Sequence, residues 1–174
     1  YLLKTVEWKM NIVLLEPEMP SNTGNIGRTC VATDTALHLI EPLGFTLNEK
    51  KIKRAGLDYW DKLKLYIYSD FEDFIEKNPK ARTRLFIATT KAEKNYTQVS
   101  FEEDDYIMFG KESAGIPEEI LVRDKESCIR IPMWGDIRSL NLSNSVSVIL
   151  YEAYRQIGFR GLNTRGKLHR LSWQ

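Results

Sequence analysis

The sequence predicts an α/β protein whose sheet is mostly parallel and is flanked by helices. The chain has 174 residues, 43% of them apolar, which is enough to bury one sizeable core. Short, continuous apolar runs recur along it, and such runs are typical of strands buried on both faces of a parallel sheet. Segments with helical spacing separate these runs, and this alternation indicates helices that cover a parallel sheet.

The individual elements follow from these patterns and from the residues that end them. The first strand closes at Pro17, and an acidic first turn after Ser69 favours a helix that ends before Pro79. Predicted strands cover 11–16, 37–40, 63–68, 84–89 and 106–109 and begin again at 129, while helices are expected at about 26–35, 49–55, 69–78, 116–121 and 143–156. We interpret residues 1–9 as an extension, 10–161 as one domain and 162–174 as a basic tail.

Composition narrows the functional classes. The net charge is only +1, but one basic cluster lies at 50–54, and residues 155–174 contain no acid. Cys30 and Cys128 lack the spacing of a zinc site or a disulfide framework, so we expect no metal and a reduced, cytoplasmic setting. No apolar stretch of roughly 18 residues is present, so we expect a soluble protein without a membrane partner.

Ligands of open parallel sheets bind outside the carboxyl ends of the strands. The loops after Glu16, Thr89, Phe109 and Pro132 follow predicted strands, and each carries Gly, Ser, Thr or Asn. We therefore expect a binding site to be assembled from these four loops.

The segment 129–156 is the most informative of them, because a polar loop joins a short apolar strand to a long helix. Its small hydrogen-bonding residues suit a binding site. The alternative is a plain connection in which Asn141 or Ser143 only caps the helix. The residues concerned are Gly135, Asp136, Ser139, Asn141, Ser143 and Asn144.

Two glycine-containing segments offer further candidates. SNTGNIGR at 21–28 combines glycines, a predicted helix start and Arg28, which would suit a phosphate-bearing substrate; the alternative is a capped helix with a surface arginine. FGKESAGIP at 109–117 lacks the earlier glycine of a phosphate loop, which argues against a nucleotide triphosphatase. There Gly110 would let an adenosine or a ribose lie against the strand end, and Glu112 could bind a hydroxyl or orient an arginine.

Other chemistries find little support. No serine elbow is present, and the two histidines lie in a predicted strand and in the tail, which disfavours a serine hydrolase. We interpret Asp104 and Asp105 as a solvated acidic surface. Tyr59 and Trp60 could stack on RNA beside Lys53 and Arg54, although core packing is the simpler interpretation.

Taken together and in order, six segments resemble the SPOUT (SpoU/TrmD) superfamily of RNA methyltransferases, and most closely its TrmL/YibK-like tRNA 2'-O-methyltransferases. The segments read NIVLLEPEMPSNTGNIGR, IEPLGF, KRAGLDYW, FIATTK, YIMFGKESAGIP and IRIPMWGDIRSLNLSNSVSVILYEAYRQ. The resemblance implies a deep trefoil knot formed by about residues 129–156, an obligate homodimer, and S-adenosyl-L-methionine as cofactor with S-adenosyl-L-homocysteine as product.

The resemblance also implies roles for individual residues. Cofactor contacts are implied for Ala88, Thr89, Gly110, Ile131, Met133, Ser139 and Leu140. Catalytic roles are implied for Asn22, Arg28, Glu112, Ser139 and Asn141, and contacts with the tRNA anticodon stem-loop are expected from Lys53, Arg54, Tyr151 and Arg155. The implied activity is 2'-O-methylation of cytidine or uridine 34, the wobble nucleotide. The alternatives are methylation of another tRNA or rRNA ribose, or RNA binding without catalysis.

Overall fold

We describe a computed structural model of the chain for residues 9–47 and 59–173. A single seven-stranded sheet forms its centre, with the strand order β3-β2-β1-β6-β4-β7-β5 and every neighbouring pair parallel. The strands are β1 (Asn11–Leu15), β2 (Ala36–Ile40), β3 (Leu65–Tyr68), β4 (Leu85–Ala88), β5 (Lys94–Asn95), β6 (Tyr106–Phe109) and β7 (Cys128–Arg130). The predicted α/β class with a mostly parallel sheet is confirmed.

Helices cover both faces of this sheet. The helices are α1 (Pro20–Ala32), α2 (Phe71–Lys77), α3 (Ala81–Arg84), α4 (Glu118–Arg123) and α5 (Leu142–Gln156), and short 3-10 helices lie at Trp60–Lys62, Tyr96–Gln98 and Lys125–Ser127. One apolar core lies between the sheet and α1 with α5, where Ile26 and Leu150 are fully buried. A second core, centred on Phe74, packs α2 and α4 against the opposite face.

Helix α1 begins at Pro20, so the expectation of a start near Ile26 was wrong by two turns. Proline suits the first helical position because its fixed φ is already helical. An N–H group at that position would have no acceptor within the helix, so its absence costs nothing. The glycines interrupt the helical pattern of the sequence, so the start of this helix was not predicted. One of these glycines, Gly27, has a packing role. A Cβ on Gly27 would lie 3.2 Å from the Trp60 ring and 3.3 Å from Leu63.

Smaller differences have local causes. Asp70, rather than Ser69, caps α2 by accepting a hydrogen bond from the Asp73 N–H. Strand β5 has only two residues and α3 only four, too few to produce a recognisable pattern. The helix expected at 49–55 and nearly all of the extension expected at 1–9 lie outside the described residues.

Asp105 overturns the interpretation of a solvated acidic pair. Its side chain is fully buried and receives two hydrogen bonds from Arg84, from Nε at 2.7 Å and from Nη2 at 2.6 Å. The Glu102 N–H adds a third hydrogen bond at 2.7 Å. Arg84 lies 21 positions earlier in the sequence, so the local acidic pattern carried no sign of this ion pair.

Candidate functional site

A cavity of about 550 Å³ opens at the carboxyl ends of β4, β6 and β7, within the size range of small-molecule sites. The loops that follow these three strands form most of its wall, and the amino ends of α1 and α5 complete it. The structure brings all seven predicted cofactor-binding residues to this cavity, namely Ala88, Thr89, Gly110, Ile131, Met133, Ser139 and Leu140.

The loop after β6 shows why glycine is required at position 110. A Cβ there would collide with the backbone of Gly115 and Ile116. The chain folds back sharply at this point, because the Gly115 N–H donates to the Lys111 carbonyl at 2.8 Å and Gly115 has a φ of +70°. A glycine at each end of this turn therefore allows the chain to reverse direction at the edge of the cavity.

A neighbouring wall comes from the ends of β4 and β7. The Thr89 N–H donates to the Ile129 carbonyl at 2.9 Å, which extends the pairing of these strands by one residue. The Thr89 hydroxyl accepts from the Lys91 N–H at 3.3 Å and so shapes the following turn. The ends of β4 and β7 thus form one hydrogen-bonded wall, and the loop at 131–140 contributes other lining residues.

Glu112 organises the polar side of the cavity, and among the described residues it contacts no arginine, which the sequence had suggested it could orient. Its Oε2 accepts from the Glu18 N–H at 2.8 Å. Its Oε1 accepts from the Met19 N–H at 3.2 Å and from the Asn22 amide at 3.0 Å. The carboxylate therefore lies at the positive amino end of α1, where a negative charge is favourable.

Asn22 extends this network to the last helix. The Asn141 amide donates to Asn22 Oδ1 at 3.0 Å. Asn141 Oδ1 accepts from the N–H groups of Ser143 at 2.9 Å and Asn144 at 3.4 Å, so Asn141 caps α5 as the alternative interpretation proposed. The cap is also a link in the site, since one chain of hydrogen bonds joins Glu112, Asn22 and Asn141.

A second set of contacts reinforces the same junction. The Glu18 carboxylate accepts from the Ser113 N–H and from the Ser113 hydroxyl, both at 2.8 Å, and these hydrogen bonds lower the pKa of Glu18. Lys111 Nζ lies 2.9 Å from a Glu16 carboxylate oxygen. The loops after β1 and β6 are thereby held together by paired, partly solvated contacts.

This geometry separates two kinds of predicted catalytic residue. Asn22 is buried, and both ends of its amide are engaged, so it is placed to hold its neighbours in position. Ser139 is exposed on the rim and lines the cavity. Among the described residues, Ser139 has no side-chain hydrogen-bond partner, which leaves its hydroxyl available to a ligand.

The cavity also contains basic residues that sequence reasoning did not select. Lys91 Nζ lies 3.0 Å from a Glu118 carboxylate oxygen, and Lys111 is paired with Glu16. Arg138 lines the cavity without a carboxylate partner among the described residues. The sequence feature that could have identified Arg138 as a site residue is its position in the polar loop, three residues before Asn141.

Arg28 does not lie at a helix start, so the expectation of an arginine beside free helix N–H groups was wrong. It is exposed in the third turn of α1 and lines a different, open cavity together with Tyr151 of α5. Its guanidinium lies 5.9 Å from the centre of the Tyr59 ring. Within one described chain, the arginine implied as catalytic therefore lies apart from the cofactor cavity.

The expected RNA-binding residues have different surroundings. Tyr151 is 46% exposed on the same face as Arg28. Arg155 lies on α5 and donates two hydrogen bonds to Glu152, from Nε at 2.7 Å and from Nη2 at 2.9 Å. This pairing lowers the pKa of Glu152 and neutralises part of the charge expected to face RNA. Lys53 and Arg54 lie outside the described residues.

In the part of the chain that the structure describes, no group of three or more His, Cys, Asp or Glu side chains is arranged to hold a metal ion. No helix in the same part of the chain has the length and apolar character needed to cross a membrane.

Comparison with known proteins places this geometry in a family. The model of the SpoU rRNA Methylase family matches residues 9–151. The tRNA (cytidine(34)-2'-O)-methyltransferase of Escherichia coli K12 is 49% identical over 154 residues, covering 87% of this chain and 96% of that protein. Its Yersinia pestis counterpart of the same name is 47% identical over 156 residues, which cover 87% of this chain and 96% of the relative.

A solved structure from a study of the 2-OH methylation of C/U34 on tRNA agrees with these matches. It superposes with a TM-score of 0.81 and 45% sequence identity, and covers 88% of this chain and 99% of that chain. The matched region contains the parallel sheet and every predicted site residue except Arg155. The chain therefore belongs to the SpoU rRNA methylase family.

Proposed function

We propose that this protein transfers a methyl group from S-adenosyl-L-methionine to the ribose 2'-hydroxyl of the wobble nucleotide, cytidine or modified uridine 34, of tRNA. The observation that carries the proposal is the cavity at the ends of β4, β6 and β7, where the three characteristic segments meet through Glu112, Asn22 and Asn141. The relatives named for position 34 match 87% of the chain at 47% and 49% identity, which favours this nucleotide over another tRNA or rRNA ribose.

The cavity residues suit the proposed cofactor. Gly110 lines the cavity at the end of β6, and its lack of a side chain allows the backbone of Gly115 and Ile116 to pack against it there. Ile131, Leu140 and Ala88 provide apolar contact, while Thr89 and Ser139 provide polar groups. When bound, S-adenosyl-L-methionine would supply an electrophilic methyl group on a positively charged sulfur.

The protein's contribution to the reaction is alignment and charge stabilisation. The ribose 2'-oxygen would have to be aligned with the methyl group that the cofactor supplies, and its hydroxyl proton would pass to solvent or a nearby base. The Asn22–Asn141 hydrogen bond fixes the amino ends of α1 and α5 beside the cavity, which supports a constant geometry for the acceptor. Ser139 offers a free hydroxyl to orient the ribose.

Arg28 would stabilise the developing alkoxide and hold the adjacent phosphate, since a guanidinium stays protonated and cannot act as a base. Its distance from the cavity within one chain supports a homodimer in which the partner supplies it. The exposed face of α1 and α5, with Arg28 and Tyr151, is the surface we propose for pairing. Arg28→Ala should then abolish methylation while leaving cofactor affinity unchanged, and normal turnover by this variant would exclude the role.

The anticodon stem-loop would contact basic surfaces of the dimer. We assign these contacts to Lys53, Arg54, Arg155 and the basic tail at 162–174, and to Tyr151 at the border of the pairing surface. Phosphate contacts release bound counterions, so affinity for the stem-loop should fall steeply as salt rises. An affinity that did not depend on salt would exclude this part of the proposal.

We further propose a deep trefoil knot formed by about residues 129–156, within a methyltransferase domain spanning 10–161. The resemblance to SPOUT proteins supports it, and α5 packs beside α1 after β7, with Ser147 near Thr29 and Tyr154 donating to the Thr33 carbonyl. Free, buried Cys30 and Cys128 support a reducing, cytoplasmic location.

The experiment that tests the function uses purified protein, labelled S-adenosyl-L-methionine and total tRNA that has not been modified at position 34. We expect one labelled nucleotide, identified by nuclease mapping as the 2'-O-methylated wobble residue. Label at another tRNA position, or in rRNA alone, would redirect the proposal to a different ribose. Absence of label with retained RNA binding would indicate a non-catalytic RNA-binding protein.

A further inference from the structure

Trp134 has no role in the site described above, yet its position is unusual. Its side chain is 93% exposed, more than any other large apolar residue that the structure describes. It directly follows Met133, which lines the cofactor cavity. A large aromatic side chain in water, adjacent in sequence to a residue of the cavity wall, indicates a surface that binds something flat and apolar.

The rest of the loop fits a nucleic-acid ligand. Gly135 follows with a φ of +60° and open space around it, a turn that leaves Trp134 unobstructed on that side. Arg138, four residues after Trp134, lines the same cavity and has no carboxylate partner among the described residues. A planar cation and an exposed indole on one loop match the phosphate and the base of a nucleotide.

We infer that Trp134 stacks on a nucleobase of the RNA substrate at the rim of the cavity, either the base of the methylated nucleotide or that of an immediate neighbour. This inference rests on the proposed function, which places a ribose inside the cavity and its base at the opening. Bases of single-stranded loops can leave their stacks and lie against aromatic side chains. The face of α1 and α5 that carries Arg28 and Tyr151 provides a separate surface for a second copy of the chain.

The test measures binding of a synthetic anticodon stem-loop in the presence of S-adenosyl-L-homocysteine, so it does not depend on turnover. Base stacking contributes about 1–3 kcal/mol by alanine substitution, which corresponds to roughly 5- to 150-fold in affinity. We expect Trp134→Ala to weaken RNA binding by about 10-fold and Trp134→Phe to retain most of it. Val122→Ala provides a control, because Val122 is also highly exposed, at 79%, but lies on α4 and does not line the cavity.

Stem-loops that are abasic at the target nucleotide or at either neighbour identify the partner of Trp134. For one of these three RNAs the penalty of Trp134→Ala should disappear, whereas Val122→Ala should bind all of them as the wild-type protein does. An equal Trp134→Ala penalty for every RNA, no penalty at all, or a change of oligomeric state in Trp134→Ala would overturn the inference. If the wild-type protein bound the stem-loop no better than an unrelated hairpin, the proposed function would fail as well.

Discussion

Glu112→Gln is the substitution that most sharply tests how the site is held together. The change keeps the size of the side chain but removes its charge and replaces one acceptor oxygen with an NH₂ donor. In the native protein Oε2 accepts one backbone N–H, at 2.8 Å from Glu18. Oε1 accepts two further donors, Met19 N–H at 3.2 Å and the Asn22 amide at 3.0 Å.

The size of the effect follows from these contacts. In the more favourable orientation, the glutamine oxygen still accepts from the Met19 N–H and the Asn22 amide. Its NH₂ group then faces the Glu18 N–H and cannot accept from it. One charge-assisted hydrogen bond is then lost, a cost of about 1.5–3 kcal/mol, with the lower end appropriate because Glu112 is only partly buried. If the loss displaces Asn22 and the lower value is added to the activation free energy, methyl transfer should slow by about 10-fold.

The assay compares kcat for stem-loop methylation with the cofactor dissociation constant measured by calorimetry. We expect kcat to fall about 10-fold and the cofactor dissociation constant to change less than about twofold, since Glu112 acts through α1. Glu126→Gln is the matched control, because the Glu126 side chain is 83% exposed and pairs with Lys94 at the surface. Wild-type kcat in Glu112→Gln, or a loss confined to cofactor affinity, would refute the reasoning.

Three further predictions concern the core and the dimer. Asp105→Ala leaves Arg84 without its buried partner and should lower the free energy of unfolding by about 3–5 kcal/mol in urea titrations; a change no larger than that of the exposed Glu118→Ala would contradict it. Burial lowers the pKa of His38 to about 4. As the pH falls below 6.5, this histidine is therefore protonated in the unfolded chain while it stays neutral in the folded protein. Wild-type stability should therefore decline by up to about 3 kcal/mol between pH 6.5 and 4, and His38→Gln should remove that part of the slope; an unchanged slope would exclude His38 as its source. A mixed dimer of one Arg28→Ala chain and one Gly110→Ala chain should methylate RNA if Arg28 acts in the partner's cavity, because one intact cavity then receives one intact Arg28. As controls, each mutant chain paired with a wild-type chain should be active. Inactivity of the mixed dimer alone would place Arg28 in its own chain's site.

The fold was predictable because its strands are short, apolar and separated by helical patterns. Strand β6 was predicted with its exact bounds, Tyr106–Phe109, and β1 and β2 were each predicted to within one residue. Buried parallel strands have few alternatives for such sequences. Helix α1 was harder, since Gly24 and Gly27 obscure the helical spacing and only packing against Trp60 and Leu63 explains the second glycine.

The site was predictable in composition but not in arrangement. Loops after parallel strands had to meet at one edge of the sheet, which brought Gly110 and Met133 to the same cavity. Sequence spacing could not show that Glu112 would bind the start of α1, because that contact joins residues more than 90 positions apart. It could not place Arg28 either, whose position on the outer face depends on where α1 begins.

The central claim, transfer of a methyl group to the 2'-oxygen of the wobble nucleotide, is tested most directly with defined anticodon stem-loops. One RNA carries an ordinary ribose at position 34, and others carry a single 2'-deoxy sugar at that position or at a neighbour. We predict one methyl group per molecule for the unmodified RNA and for the RNAs altered at a neighbour, and none for the RNA lacking the 2'-hydroxyl at position 34. Methylation of that last RNA at the wild-type rate would contradict the account.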